Sequence, residues 1–391
     1  MVVAEAPGRV EVLGNHTDYN EGLVLLSTVG LKTAVSGQKE DGNKVYLLSR
    51  NLDATAEFEI DHLQKDPASP WADYPKGVIQ QLQKKGYKLT GFRAEIFSTI
   101  PFGVGLSSSA ALELSVALFL EALFGFEISR RTLVELCQRA ENEFVGVACG
   151  ILDQFSSAFG RKQSLVFLDC RDLSFETIPL PETVSLVICD SGTRRNLVSS
   201  DYNRRRTECQ SARDFFAGKK SGIKALRDVT TDDFQRYGSG IEEPALRKRA
   251  EHVIFENERV EAGREALREG RLEELGSLMF MSHQSSRTLF ENSLPEIDFL
   301  VEKAYSLSGI IGAKLSGAGW GGATVNLVYA DKAEAFSGAL KEAYREKFSH
   351  QAKTYICSIP DGARIINDTQ CPFQSYGKGT RILSDSEESN E

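Results

Sequence analysis

The stretch that most constrains this chain is residues 101–111, PFGVGLSSSAA, with the run that follows it. Gly103 and Gly105 precede three serines, Ser107, Ser108 and Ser109. From Ala110 to Phe124 only Glu113, Ser115 and Glu121 are polar. A helix that is apolar nearly all round has to be buried. A glycine loop entering such a helix through a serine N-cap gathers free backbone N–H groups and a positive dipole end at one point, where anions bind. Glycines let backbone come close to a ligand, and serine hydroxyls hydrogen-bond phosphate or ligate a metal. The pattern predicts a phosphate cradle. It is not a P-loop, because no Gly-Lys-Ser/Thr follows, and serines stand where a dinucleotide fingerprint has its last glycine. Read alone, it also fits a plain turn and cap.

A second glycine-rich passage, residues 314–329, carries Gly317, Gly319, Gly321 and Gly322. Two such passages predict that backbone approaches a ligand twice. At 391 residues the chain is long for one core. Strand-rich sequence gives way to charged helical segments near residue 192. The expected division is therefore 1–191, 192–375 and a disordered acidic tail, 376–391. A net charge of −9 excludes a general binder of nucleic acid or anionic membranes. Seven dispersed cysteines without CxxC pairs predict reduced thiols and no zinc site. The start shows no signal peptide, and no apolar run is long enough to span a membrane. A cytoplasmic protein, monomeric or weakly dimeric, is expected.

In chain order, residues 2–14 read as two short strands about a Pro-Gly turn, and residues 16–22 as a loop. Strands follow, then a helix beginning near Pro70 and ending at Gly86, then a strand feeding the glycine loop. His16, Thr17, Asp18 and Tyr19 are four consecutive polar side chains suited to sugar hydroxyls, or to an Asx-type turn. Arg9 follows Pro-Gly directly, and Asp153 sits among apolar neighbours. If the two meet, the cation favours the ionised carboxylate. Glu141 is either solvated on a helix or the partner of Ser109 at a metal.

APGRVEVLGNHTDYNEG, PFGVGLSSSAALE and KLSGAGWGGATV together resemble the three motifs of the GHMP small-molecule kinases, and HTDYN is similar to the galactokinase signature in particular. The likeness covers most of the chain, ending near residue 367. The resemblance implies an α+β, two-lobe GHMP kinase fold, each lobe mixed α/β, with the active site in the cleft between them. It implies ATP-dependent, Mg²⁺-assisted phosphorylation of the anomeric hydroxyl of D-galactose, giving galactose 1-phosphate. Carried over by residue, Gly103, Gly105, Ser107, Ser108 and Ser109 wrap the ATP phosphates, and Ser109 and Glu141 hold Mg²⁺. Asp153 is the base and Arg9 its cationic partner. Asn15, His16, Asp18, Gly150 and Tyr202 meet the sugar. Trp71 lies near adenine and Arg194 near the nucleotide. Asn15 stands where galactokinases carry a sugar-contacting glutamate. That departure leaves open a related acceptor, such as N-acetylgalactosamine, a pentose or a uronic acid. A non-catalytic sugar and ATP sensor is the remaining alternative.

Overall fold

The computed structural model describes residues 1–147, 149–193 and 200–366. Arg194 and the 376–391 tail lie outside the described residues. Strand β1 (Val2–Leu13) is continuous, where the sequence suggested two strands about a turn. Pro7 and Gly8 do not reverse the chain. They form a register shift against β2 (Leu23–Lys39), with Pro7 opposite Lys32 and Gly8 opposite Val29. A proline, lacking an N–H, is tolerated at such an irregularity. Glycine is required at position 8 because a Cβ there would lie 2.8 Å from the Leu106 carbonyl oxygen.

Strands β3 (Lys44–Ser49) and β4 (Ala54–Glu59) precede helix α1 (Asp73–Lys84). Strand β5 (Phe92–Ser98) then runs into the glycine loop and α2 (Ser108–Phe124). Helix α2 packs against β1 and β2, with Leu114, Leu118, Phe119 and Leu120 fully buried, as its apolar sequence requires. Each such side chain contributes roughly 1.5–3 kcal/mol over leaving it exposed. Helix α3 (Arg130–Arg139) starts at Ser129, whose hydroxyl accepts the Thr132 N–H at 3.1 Å. A π-helical turn, Ala140–Val145, leads towards α4 (Leu152–Phe159).

Strands β6 (Ser164–Asp169), β7 (Phe175–Pro179) and β8 (Val184–Asp190) come next. The sequence reading missed β7, in which only Ile178 is fully buried, so no apolar alternation marks it. Helices α5 (Ser200–Ala217), α6 (Thr231–Tyr237), α7 (Pro244–Arg268), α8 (Leu272–Ser285) and α9 (Pro295–Tyr305) form the helical half. The chain closes with β9 (Ile310–Leu315), β10 (Ala323–Tyr329), α10 (Ala333–Lys347), β11 (Lys353–Cys357) and β12 (Arg364–Ile366).

An eight-stranded mixed sheet has the order β12-β1-β2-β5-β3-β4, with β6 pairing β2 and β7 pairing β6. A second, antiparallel sheet runs β11-β8-β10-β9. Strand β8 precedes residue 192 yet lies inside the second sheet, and β12 returns to pair with β1. One apolar core is continuous through both sheets, joining Leu13 and Leu25 to Leu186 and Leu327. The six described cysteines are unpaired thiols. Among the described residues no helix is long and apolar enough to cross a membrane.

The two glycine passages touch. A Cβ on Gly105 would lie 2.9 Å from the Ser316 carbonyl oxygen, and one on Gly317 would lie 3.0 Å from that of Gly105. On Gly322 it would lie 2.7 Å from the Val104 carbonyl oxygen. Beyond the approach to a ligand that its composition predicts, the second passage at these positions packs on the first loop. Gly322 also has φ +83°, a left-handed backbone that side chains strain. Gly322→Ala is expected to lower stability by about 1–3 kcal/mol, read from urea unfolding. An unchanged midpoint would contradict this packing.

Candidate active site

Side chains alternate across a strand, so Arg9 and Glu11 leave the same face of β1. Arg9, 6% exposed, reaches over to α4. Its Nε and Nη2 donate to Asp153 Oδ1 at 2.8 and 2.5 Å, and its Nη1 donates to the Gly105 carbonyl at 2.7 Å. The meeting that the sequence left open therefore occurs, 144 residues apart along the chain. One guanidinium ties β1, the glycine loop and the first turn of α4 together.

Ser107 occupies the N-cap position of α2 with φ +56°. Contrary to the expectation of a serine cap, its hydroxyl makes no capping bond, and its Oγ is buried without a partner. The Ala111 N–H bonds the Ser107 carbonyl at 3.1 Å. The N–H groups before it have no intrahelical acceptor, as at any helix start. Ser107, Ser108 and Ser109 all line the cleft.

Glu141 is buried, not solvated. It lies in the π-helical turn, a distortion that recurs at functional sites. Burial, then the charge of Asp153, raises its carboxyl to about 7, opposed by hydrogen bonds from Cys149, Ser109 and Gln154. Gln154 Nε2 donates to Glu141 Oε2 at 2.8 Å and to Glu113 Oε2 at 3.0 Å. Glu113 is fully buried, and burial followed by the charge of Glu141 pushes its carboxyl well up. Among the described residues no lysine or arginine pairs with either carboxylate, and none of their groupings supplies three His, Cys, Asp or Glu to a metal. A hydroxyl and a carboxylate are hard oxygen donors of the kind Mg²⁺ takes, its remaining positions going to phosphate and water. Ser109 and Glu141 fit that ion.

The loop after β1 is held from α7. Glu256 accepts the N–H groups of Gly14 at 2.9 Å and Asn15 at 3.2 Å, and His252 Nε2 lies 2.9 Å from the Asn15 carbonyl. Burial opposes the Glu256 charge, yet Arg259, His252 and Lys314 hold its carboxyl down at about 2. His16, with φ +60°, donates from Nε2 towards the Ala318 carbonyl at 3.0 Å, while Nδ1 lies 3.0 Å from the Tyr19 hydroxyl. Its ring stacks on Phe290 at 4.3 Å and lies 5.5 Å from Tyr202 of α5. Asp18 faces Gly150, where a Cβ would lie 1.9 Å from its Oδ2. Burial, then the charge of Asp153, raises the Asp18 carboxyl to about 7.

Arg9, Asn15, His16, Asp18, Gly103, Gly105, the three serines, Glu141, Gly150, Asp153 and Tyr202 thus line one cleft of about 300 Å³. Trp71 lies outside that lining, half-buried against the larger core in the turn Pro70–Ala72. Glu11 and Tyr74 also line the cleft, and sequence reading missed both. Glu11 carried a usable signal, since it stands two residues from Arg9 on one strand. Tyr74 carried none.

The pattern of the GHMP kinases N terminal domain matches residues 73–161, that of the GHMP kinases C terminal domain 264–346, and the galactokinase galactose-binding signature 1–39. A galactokinase of Roseiflexus sp. (strain RS-1) is 41% identical over 95% of this chain and 94% of its own. One of Thermotoga neapolitana is 40% identical over 93% and 99%. The crystal structure of Lactococcus lactis galactokinase complexed with galactose superposes with a TM-score of 0.88, at 34% identity over 93% of this chain and 94% of that one. A mevalonate kinase structure, 18% identical with a TM-score of 0.66, shares the fold over 92% of this chain and 100% of its own. Matched along nearly all of its length at these identities, the chain belongs to the galactokinase family of the GHMP kinases.

Proposed function

We propose that this chain transfers the γ-phosphoryl group of ATP to the anomeric hydroxyl of galactose, giving galactose 1-phosphate and ADP. The observation that carries the reading is the Arg9–Asp153 pair, set between the serine start of α2 and the His16–Tyr19 loop in one cleft. Phosphoryl transfer needs alignment and charge neutralisation more than covalent help. Asp153 orients the anomeric hydroxyl and accepts its proton as the oxygen attacks phosphorus. The bond from phosphorus to the bridging oxygen of ATP breaks, and ADP leaves with the electron pair. Arg9 stays paired with Asp153 and stabilises charge beside the transferring group. The backbone N–H groups at the start of α2 receive phosphate oxygens. Ser109 and Glu141 would hold Mg²⁺, which supplies further charge neutralisation when bound.

Asp18 and His16 position the sugar, and Gly150 leaves room for the Asp18 carboxylate. An intact Arg9–Asp153 pair favours catalysis over a sensor that only binds. The change of sheet between β7 and β8 supports placing the lobe exchange a few residues before 192. The absence of a membrane-crossing helix among the described residues and the unpaired thiols support a cytoplasmic location.

Asp153→Ala is expected to lower kcat by about 10²–10⁴-fold, the usual contribution of a positioned base, and also to lower the unfolding midpoint, because it leaves the Arg9 guanidinium unpaired. A kcat near that of the unsubstituted protein would remove Asp153 as base. Sugar binding is expected to weaken in acid. The Asp18 carboxyl titrates at about 7, with Asp153, Glu11 and Arg9 as its charged neighbours. Below that pH it is neutral and accepts hydroxyl hydrogens less strongly. Galactose affinity measured without nucleotide should fall as pH drops from 8 to 6 (a range of about two units spanning the titration). In Asp18→Asn it should be weak and nearly flat with pH. A flat profile for the unsubstituted protein would contradict the role of Asp18.

A further inference from the structure

The amide expected to meet the sugar at Asn15 has no bond left to give. An asparagine side chain donates two hydrogen bonds and accepts two. Asn15 Nδ2 donates to the Gly317 carbonyl at 2.9 Å and towards Glu11 Oε2 at 3.4 Å. Its Oδ1 accepts from Asn292 Nδ2 at 3.0 Å and from Ser286 Oγ at 3.2 Å. All four positions are filled by the protein, and the residue is 1% exposed. Asn15 serves as a tie between the end of β1, the second glycine passage and the turn after α8.

Glu11 is buried to much the same degree, at 3% exposure, and differs in how much of its bonding capacity the protein uses. It lies two residues beyond Arg9 on the same face of β1, about 7 Å along the strand, a span comparable to one sugar ring. Both residues line the cleft. Glu11 Oε1 is ion-paired with Lys314 Nζ of β9 at 2.6 Å, and Lys314 is fully buried. That pair fixes the side chain and balances its charge. An ionised carboxylate offers about four lone-pair sites, and Oε2 uses one of them, for the long 3.4 Å contact. Glu11 and Asp18 line the same cleft.

Resting on the sugar-kinase reading above, we infer that Glu11 is a specificity residue, its Oε2 accepting a hydrogen bond from a sugar hydroxyl remote from the reacting carbon. It supplies from the strand the carboxylate that the family resemblance placed at residue 15. A hydroxyl at that position is welcomed, and a uronic acid carboxylate is repelled by like charge. Glu11 acts on binding, and the reacting atoms remain with Asp153 and Arg9.

The test is Glu11→Gln, which keeps the shape and removes the charge. The KM for galactose is expected to rise roughly 10- to 100-fold, the range for losing a charge-assisted hydrogen bond. Both kcat and the KM for ATP should stay within about threefold. The decisive readout uses monodeoxygalactoses that each lack one non-anomeric hydroxyl. The unsubstituted enzyme should penalise each loss, and Glu11→Gln should erase the penalty at one position while keeping the others. Should Glu11→Gln fail to fold because Lys314 is left unpaired, Glu11→Gln with Lys314→Met removes both charges and carries the same test. An unchanged KM, or a raised KM with every penalty intact, overturns the role of Glu11. Absence of ATP-dependent turnover by the unsubstituted enzyme on every sugar overturns the sugar-kinase reading itself, and the role of Glu11 with it.

Discussion

The guanidinium of Arg9 is the point on which the site depends. It bonds the Asp153 carboxylate and the Gly105 carbonyl at once, so it sets the distance between that carboxylate and the glycine loop. Its own position comes from β1, whose irregularity at Pro7 and Gly8 lets the strand pass beneath Leu106. Charge in a poorly solvated place needs such partners, because an unpaired guanidinium or carboxylate there is costly. The pair is therefore a structural tie and a chemical device together.

Around it the fold arranges three supports that differ in kind. The apolar face of α2 presses on β1 and β2 and fixes where the helix begins. The second glycine passage rests backbone to backbone on the first, so the mouth of the first glycine loop is set by contact with the second sheet. The loop carrying His16 and Asp18 hangs from Glu256 on α7, a carboxylate kept charged by Arg259, His252 and Lys314. Lys314 serves twice, since it also pairs with Glu11 in the cleft. Against these fixed elements stand the carboxylates of Glu113 and Glu141, held apart from any arginine or lysine among the described residues. Burial raises both carboxyls.

Much of this was legible in the sequence because it is local. The apolar run of α2 and the strand before the glycine loop follow from periodicity and residue type. The family motifs then named many of the residues of the cleft, though not Glu11 or Tyr74. What sequence could not give depends on contacts between distant segments. The Pro-Gly pair reads as a turn until one sees Leu106 above Gly8. The glycines of residues 317–322 read as a ligand approach and do line the cleft, while their packing against Val104, Gly105, Thr193 and Asn292 was not legible. Asn15 reads as a sugar contact until Gly317, Ser286 and Asn292 are seen to occupy it. Strand β7 was invisible because one buried side chain leaves no pattern.

Phosphorus–proton correlation NMR of the product formed from ATP, Mg²⁺ and galactose decides whether the phosphoryl group reaches the anomeric oxygen. A single sugar phosphate esterified at the anomeric carbon, its phosphorus coupled to the anomeric proton, should form with an equal amount of ADP. An ester at any other carbon, or ADP released with galactose unchanged, would rule this transfer out.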